Sequence, residues 1–116
     1  MRAHRTHRLP IAFAALLAAT LSGCTQTTPI NTLLDDPAHF DHQTVSIAGT
    51  VKSAIGVMGY GAYQVNDGTG TLTVLTQEGG APREGAKVTV SGEFRAGFTL
   101  GAETAAVLME KERKTQ

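Results

Sequence analysis

Cysteine, tryptophan and long apolar runs are scarce or missing in this sequence of 116 residues. Its single cysteine, Cys24, has no partner for a disulfide within the chain. No apolar run reaches the roughly 20 residues that a membrane-spanning helix requires, so we expect no such helix. Aromatic residues are few and glycines number 13, which favours short strands and tight turns over helices.

The first 23 residues have the layout of a secretory signal peptide. Three arginines, at positions 2, 5 and 8, precede an uncharged apolar segment at 11–21, and the small residues Ser22 and Gly23 follow. We predict cleavage after residue 23. The alternative is an ordinary signal peptide followed by a stray cysteine.

The four residues Leu21-Ser22-Gly23-Cys24 resemble the lipobox of bacterial lipoproteins. The resemblance implies cleavage before Cys24, a thioether-linked diacylglyceryl group on its sulfur and an acyl chain such as palmitate on its new amino terminus. Several acyl chains at one end give stable anchoring to a membrane. Thr25, rather than aspartate, comes next, which by resemblance favours the periplasmic face of the outer membrane. In a one-membrane bacterium the same chain would lie on the outer face of the cell membrane.

Removal of the predicted signal peptide changes the charge of the protein. Three of the ten basic residues are lost and no acidic residue is, which leaves seven Lys and Arg against ten Asp and Glu, a net charge near −3. A mature chain of this size forms one small domain with a modest core.

Short segments of alternating apolar and polar residues follow a polar tether at 24–30 and a brief helical turn that starts near Asn31. We predict strands at 44–52, 63–66, 71–76, 87–94 and about 105–111. Residues 95–104 are predicted to form a turn with a brief pairing at Phe98 to Leu100, and 112–116 a frayed charged tail. "DGTG" at 67–70 is a hairpin signal. In the last strand the pattern leaves open which pair faces inward, Val107 and Met109 or Ala106 and Leu108. Together these segments predict one all-β domain at 31–111, a small antiparallel barrel or sandwich.

The order of these segments resembles the OB-fold over roughly residues 35–110. The matching features are "AGTV" at 48–51 in the first strand, the "DGTG" hairpin, Gly85 before the fourth strand and Gly92 within it. The resemblance implies a five-stranded Greek-key barrel, of the type found in small periplasmic OB-fold proteins. Gly49 and Gly92 would allow the strands to coil. The chain departs from many OB-folds because residues 77–86 leave no room for a helix between strands three and four.

OB-folds bind single-stranded nucleic acid or oligosaccharides on the face of strands two and three and the flanking loops. The residues predicted to lie outward on that face are uncharged and not aromatic: Gln64, Asn66, Thr71 and Thr73. Because phosphate affinity comes from Lys and Arg, we do not expect nucleic acid to be the ligand of an acidic domain, and keep it, with oligosaccharide, as the alternative.

Apolar residues near two loops are further candidates for contact. Val57, Met58 and Tyr60 lie in a glycine-rich connection and favour a protein partner in the envelope, although Met58 could instead belong to the core. Tyr60 and Phe98 either stack a ligand at one end of the barrel or plug that end.

No pattern in the sequence indicates catalysis. The glycines of "GVMGYG" lack the lysine and the strand-to-helix context of a phosphate loop. His39, Asp41 and His42 could suggest a metal site, but no third ligand stands at a telling spacing and Asp41 fits a turn. The membrane-anchored heme chaperone of cytochrome c maturation is also an OB-fold, but it uses a histidine beyond its barrel, and this chain has none after His42. We therefore expect a non-catalytic binding or scaffolding module without metal or cofactor.

Overall fold

The structure is a computed structural model that describes residues 26–57, 60–77 and 80–116. Two short helices, α1 (Ile30–Asp35) and α2 (Pro37–Phe40), precede five strands. The strands are β1 (Thr44–Val57), β2 (Tyr60–Asn66), β3 (Thr71–Thr76), β4 (Lys87–Leu100) and β5 (Glu103–Thr115). They close into a barrel in the order β1-β2-β3-β5-β4, with β3 and β5 parallel and the other neighbours antiparallel. The predicted all-β barrel with a short helical segment in front of it is confirmed.

The barrel interior is filled by the alternating apolar residues of the strands. Tyr63 and Phe94 are its largest fully buried side chains, and valines, leucines and Ile47 surround them. Helix α1 closes one end, because Ile30 and Leu33 are fully buried in the same cluster. Burial of a Leu or Ile side chain contributes about 1.5–3 kcal/mol, so α1 is an integral part of the core despite its six residues.

Two glycines are required by close approach between strands. A Cβ at Gly49 would collide with the Asn66 carbonyl oxygen, and a Cβ at Gly92 would collide with that of Met109. The neighbouring backbones cross here with no space for a side chain, which explains the glycines that the sequence places in these bent strands.

The β2–β3 hairpin forms at "DGTG", as predicted, and also fastens α1 to the barrel. Asp67 Oδ1 accepts hydrogen bonds from Thr69 N at 2.8 Å, Thr69 Oγ1 at 2.6 Å and Gly70 N at 3.2 Å. Asp67 Oδ2 accepts one from Ile30 N at 2.8 Å, at the start of α1. Partial burial alone would raise the pKa of Asp67, but these hydrogen bonds to the charged form outweigh it and lower the pKa.

The β4–β5 hairpin corrects two predictions. The pairing expected at Phe98 to Leu100 is present, with Ala105, Thr104 and Glu103 as partners, but the turn is confined to 101–102 and does not span 95–104. Residues 112–116 are not a frayed tail either, since β5 continues to Thr115 and pairs with β4 as far as Val88. Main-chain hydrogen bonds with β4 hold this segment despite its many charges.

The described helices are short, and none of them is long and apolar enough to cross a membrane.

Candidate functional site

Four of the predicted contact residues lie together on the outer surface of β2 and β3. Gln64 pairs with Thr73 and Asn66 pairs with Thr71, so the four form two adjacent cross-strand pairs. Asn66 Nδ2 donates to Thr71 Oγ1 at 2.8 Å, and Ser53 Oγ on β1 donates to Gln64 Oε1 at 3.3 Å. This surface offers uncharged donors and acceptors held in a fixed register, suited to hydrogen bonding with a neutral polar ligand or a protein backbone.

A row of apolar residues continues the same surface across four strands. Ile55 pairs with Ala62, Ala62 with Leu75, and Leu75 with Met109. Together with Val107, which pairs with Thr73, these residues are called the apolar face below. Ala62, Leu75 and Val107 are only 5–7% exposed and form a second apolar cluster outside the barrel, whereas Ile55 is 62% exposed.

The sequence prediction did not include the apolar face. Leu72 and Val74 alternate correctly into the core, so Leu75 stands out of phase and must point outward. This break in alternation was a signal that could have indicated a second apolar surface. The sequence left open which pair of β5 residues faces inward. In the structure Ala106 and Leu108 face the core, while Val107 and Met109 pack in the outer cluster.

Phe98 lies at the edge of the apolar face. It packs against the outer cluster, with the guanidinium carbon of Arg95 6.0 Å from its ring centroid. The prediction that Phe98 stacks a ligand or plugs one end of the barrel stays a prediction. An aromatic ring with an adjacent cation remains available for ligand contact.

Two further predicted contact residues, Val57 and Tyr60, have a described backbone and are paired with each other at the end of the β1–β2 hairpin. The described residues of this glycine-rich segment are thus the ends of two strands. Met58 and the predicted lipidation site Cys24 lie outside the described residues.

Tyr63, Glu110 and Arg113 form a polar network at the end of the apolar face. The Tyr63 hydroxyl donates to Glu110 Oε1, and Thr76 Oγ1 donates to Glu110 Oε2 at 3.2 Å. Arg113 Nη1 donates to Glu110 Oε1 and to the Gly80 carbonyl oxygen, both at 3.2 Å, and its guanidinium carbon lies 5.6 Å from the Tyr63 ring centroid. Burial and the neighbouring Glu110 carboxylate hold the pKa of Tyr63 well above its ordinary value. Because every one of these groups is engaged, the network is a structural closure of the barrel wall.

The histidine segment considered for a metal forms pairwise contacts. His42 Nδ1 lies 3.1 Å from Glu93 Oε2, and His42 Nε2 lies 3.4 Å from Asp41 Oδ2. The Asp41 carboxylate also accepts a hydrogen bond from Ala96 N at 2.8 Å, and the His39 ring packs edge-on against Phe40. Over the described ranges, no group of three or more His, Cys, Asp or Glu side chains could hold a metal ion.

Comparison of sequences gives no relative: no protein-family model matches the chain, and no curated protein is significantly similar to it. Comparison of structures gives many matches. OBody AM3L09 bound to hen egg-white lysozyme matches with a TM-score of 0.54 and 17% identity, over 66% of this chain and 84% of the OBody. The asparaginyl-tRNA synthetase of Pyrococcus horikoshii matches with a TM-score of 0.56 and 17% identity. The match covers 66% of this chain and only 20% of the synthetase.

The Stn1-Ten1 complex of S. pombe matches with a TM-score of 0.50 and 16% identity, over 63% of this chain and 57% of the matched chain. These structural neighbours are OB-fold domains. At such low identities the likeness concerns the fold alone, and the domain is an all-β OB-fold.

Proposed function

We propose that this OB-fold domain belongs to a non-catalytic lipoprotein of the bacterial cell envelope, which presents the surface of β2 and β3 to a protein partner or small ligand. The lipobox-like "LSGC" at 21–24, the basic flank and the short apolar segment before it support the anchor on Cys24. Thr25 supports the periplasmic face of the outer membrane as its location.

The character of the outer surface of β2 and β3 is the observation that carries the choice of partner. Gln64, Asn66, Thr71 and Thr73 are uncharged, and the apolar face adjoins them with Ile55 62% exposed. A surface with apolar residues beside ordered polar groups is typical of protein contacts. OBody AM3L09, in its complex with lysozyme, is an OB-fold structure that holds a protein.

The anchor is tested by Cys24→Ser in the full chain, with Thr25→Ser as the matched control because it leaves the cysteine in place. We expect wild type and Thr25→Ser to incorporate labelled palmitate and to sediment with membranes as cleaved protein. Cys24→Ser should take up no labelled palmitate. It should either remain uncleaved or be released from the membranes as soluble protein. Fractionation and palmitate labelling of Cys24→Ser that match wild type would refute the anchor.

Single-stranded nucleic acid or oligosaccharide binding is the alternative, and the Arg95–Phe98 pair is the observation that favours it. The decisive measurement is titration of the purified protein with single-stranded oligonucleotides and with oligosaccharides at low salt. We expect no saturable micromolar binding. Salt-sensitive micromolar binding that Phe98→Ala abolishes would establish the alternative in place of the protein partner.

A further inference from the structure

The chain joins the barrel very close to the predicted anchor. Thr28 N donates to the Ser46 carbonyl oxygen of β1 at 2.7 Å, which fixes the tether to the barrel wall at that residue. Thr28 is only four residues after Cys24. Because an extended chain spans at most about 3.6 Å per residue, Cys24 lies within about 14 Å of the attachment point.

Lysines lie to one side of this point, on the outer surface of β4 and its neighbours β1 and β5. Lys114 is the nearest, because it pairs with Thr89, two residues from the Ser91 that pairs with Ser46. Lys87 pairs with Thr50, and Lys114 pairs with Thr89. Lys52 and Lys87 line a groove of about 470 Å³, and Lys114 lines a second groove of about 260 Å³ together with the tether residue Thr27. Thr89 lines both grooves, so the two adjoin at this residue. The surface is called the lysine face below; it consists of Thr50, Lys52, Lys87, Thr89 and Lys114.

Two carboxylates border the lysine face. Asp67 lines the first groove, but its oxygens accept the hydrogen bonds from Ile30, Thr69 and Gly70 described above. Glu112 lines the second groove beside Lys114. Three exposed ammonium groups against these two carboxylates give the face a positive balance within a domain whose net charge is near −3.

We infer that the lysine face lies against the anionic headgroups of the membrane that holds the lipid anchor, an inference that rests on the proposed lipidation of Cys24. The headgroup layer on each side of a bilayer is about 5–7 Å thick, so a tether of about 14 Å keeps the attachment point at its surface. Electrostatic attraction extends about 8 Å at physiological salt, which includes side chains around that point. Each lysine near an anionic surface favours contact about five-fold.

This orientation determines where the proposed partner binds. In the closed order β1-β2-β3-β5-β4, the neighbours of β4 are β1 and β5, so β2 and β3 lie on the opposite side of the barrel from β4. With the lysine face on the headgroups, Gln64 and Thr73 point away from the membrane, and Asn66, which lines the first groove with Lys52, lies at the border between the two surfaces. The tether and the lysines would therefore hold the binding surface open toward the periplasm.

The orientation is testable in the full-length lipoprotein because lipidation of Cys24 leaves an introduced cysteine as the sole free thiol. Thr89→Cys on the lysine face and Gln64→Cys on β2 are labelled with the same fluorophore. Each protein is reconstituted into phosphatidylethanolamine vesicles with phosphatidylglycerol and a headgroup-nitroxide quencher lipid. We expect stronger quenching at Thr89→Cys than at Gln64→Cys.

Charge variants then test the headgroup contact. Replacing Lys52, Lys87 and Lys114 by Gln should abolish the excess quenching, as should replacing phosphatidylglycerol by phosphatidylcholine. In the matched control, Arg83, Arg95 and Lys111 are replaced by Gln, which removes three positive charges outside the lysine face. This control should retain the excess quenching at Thr89→Cys. If the triple variant of the lysine face melts lower than wild type, Lys114→Gln alone serves, with a partial loss as the expected result.

Each contrary result has a distinct meaning. Equal quenching at the two positions in protein that floats with the vesicles would overturn the orientation and leave the lipid anchor intact. An excess that survives removal of the lysines or of phosphatidylglycerol would overturn the headgroup contact. Protein that fails to float and labels at two thiols would overturn the anchor and with it the orientation.

Discussion

The two sides of the barrel wall share one core but carry different outer residues. On the apolar face, Leu75 and Val107 are nearly as buried as the interior residues beneath them, at 6% and 5% exposure. Beside the lysine face the outer positions of β1 and β4 are small and polar, and Ser46 Oγ lies 2.6 Å from Ser91 Oγ. The alternation of a strand thus determines its inner residues, and the outer residues are free to serve a second purpose on each side.

The difference fits the distinct roles that we propose for the two sides. The apolar face adds packing energy to β2, β3 and β5 and supports the Arg95–Phe98 edge. The lysine face contributes little packing, so its residues can meet headgroups without cost to the fold. Substitutions at equivalent outer positions of the two sides should therefore change stability by very different amounts. A substitution on one side should have little effect on the function of the other side.

The largest expected difference is between Leu75→Ala and Thr89→Ala. Leu75→Ala removes a side chain buried against Ala62 and Val107 and should lower the free energy of unfolding by about 2 kcal/mol or more. Thr89→Ala, on the lysine face, should change it by less than about 0.5 kcal/mol. Urea unfolding at pH 7 measures both. Equal small losses would mean that the apolar face is only a surface patch and not a second core.

A smaller effect is expected for Tyr63→Phe, at the end of the apolar face. The variant removes one donor to the Glu110 carboxylate and should cost about 1.5 kcal/mol at neutral pH. Because the folded state raises the pKa of Tyr63, this contribution is complete below pH 10 and is lost as pH rises above 10. Unfolding experiments from pH 7 to 11 should show the difference from wild type narrowing above pH 10.

Tyr60→Phe is the matched control, because it removes the hydroxyl of the other tyrosine in the chain. A narrowing of the same size for Tyr60→Phe would show that the alkaline loss does not come from the Tyr63–Glu110 contact.

The smallest of the three effects is expected for Asp67→Asn, at the border of the lysine face. It weakens the bonds to Thr69, Gly70 and Ile30 and should cost about 1 kcal/mol at pH 7. Folding lowers the pKa of Asp67, so its contribution is present above about pH 4 and is lost as pH falls below that value. Wild type and Asp67→Asn should converge in thermal melts toward pH 2.

Asp35→Asn, at an exposed position of α1, is the control for a general change of charge. A constant difference between wild type and Asp67→Asn from pH 7 to pH 2 would contradict the assignment of charge-dependent bonds to Asp67.

Much of the barrel could be predicted from residue patterns. The alternation in "TVSIAGTV" and "KVTVSGEF", the "DGTG" hairpin and the placement of Gly49 and Gly92 all act locally, through side-chain direction and backbone space. The outward positions of Gln64, Asn66, Thr71 and Thr73 follow from the same period and are as predicted.

The parts that were missed depend on contacts distant in sequence. The charged segment "EKERKT" at 110–115 has no apolar alternation. It forms a strand because β4 pairs with it and because the hydroxyls of Tyr63 and Thr76 donate hydrogen bonds to the Glu110 carboxylate. Phe98 lies outward because the register shifts between Arg95 and Phe98, a shift that no short pattern announces. The lysine face likewise exists only once Thr50 and Lys87, and Thr89 and Lys114, are brought side by side.

In the arrangement that we propose, one side of an anchored barrel contacts a protein partner and the other side contacts lipid. The most direct measurement is photocrosslinking in intact cells, with a benzophenone amino acid at Gln64 in one variant and at Thr89 in another. We predict discrete protein adducts from Gln64 and lipid adducts without protein adducts from Thr89. The same protein adducts from both positions, or protein adducts from Thr89 alone, would show that the two sides do not divide protein and lipid contact in this way.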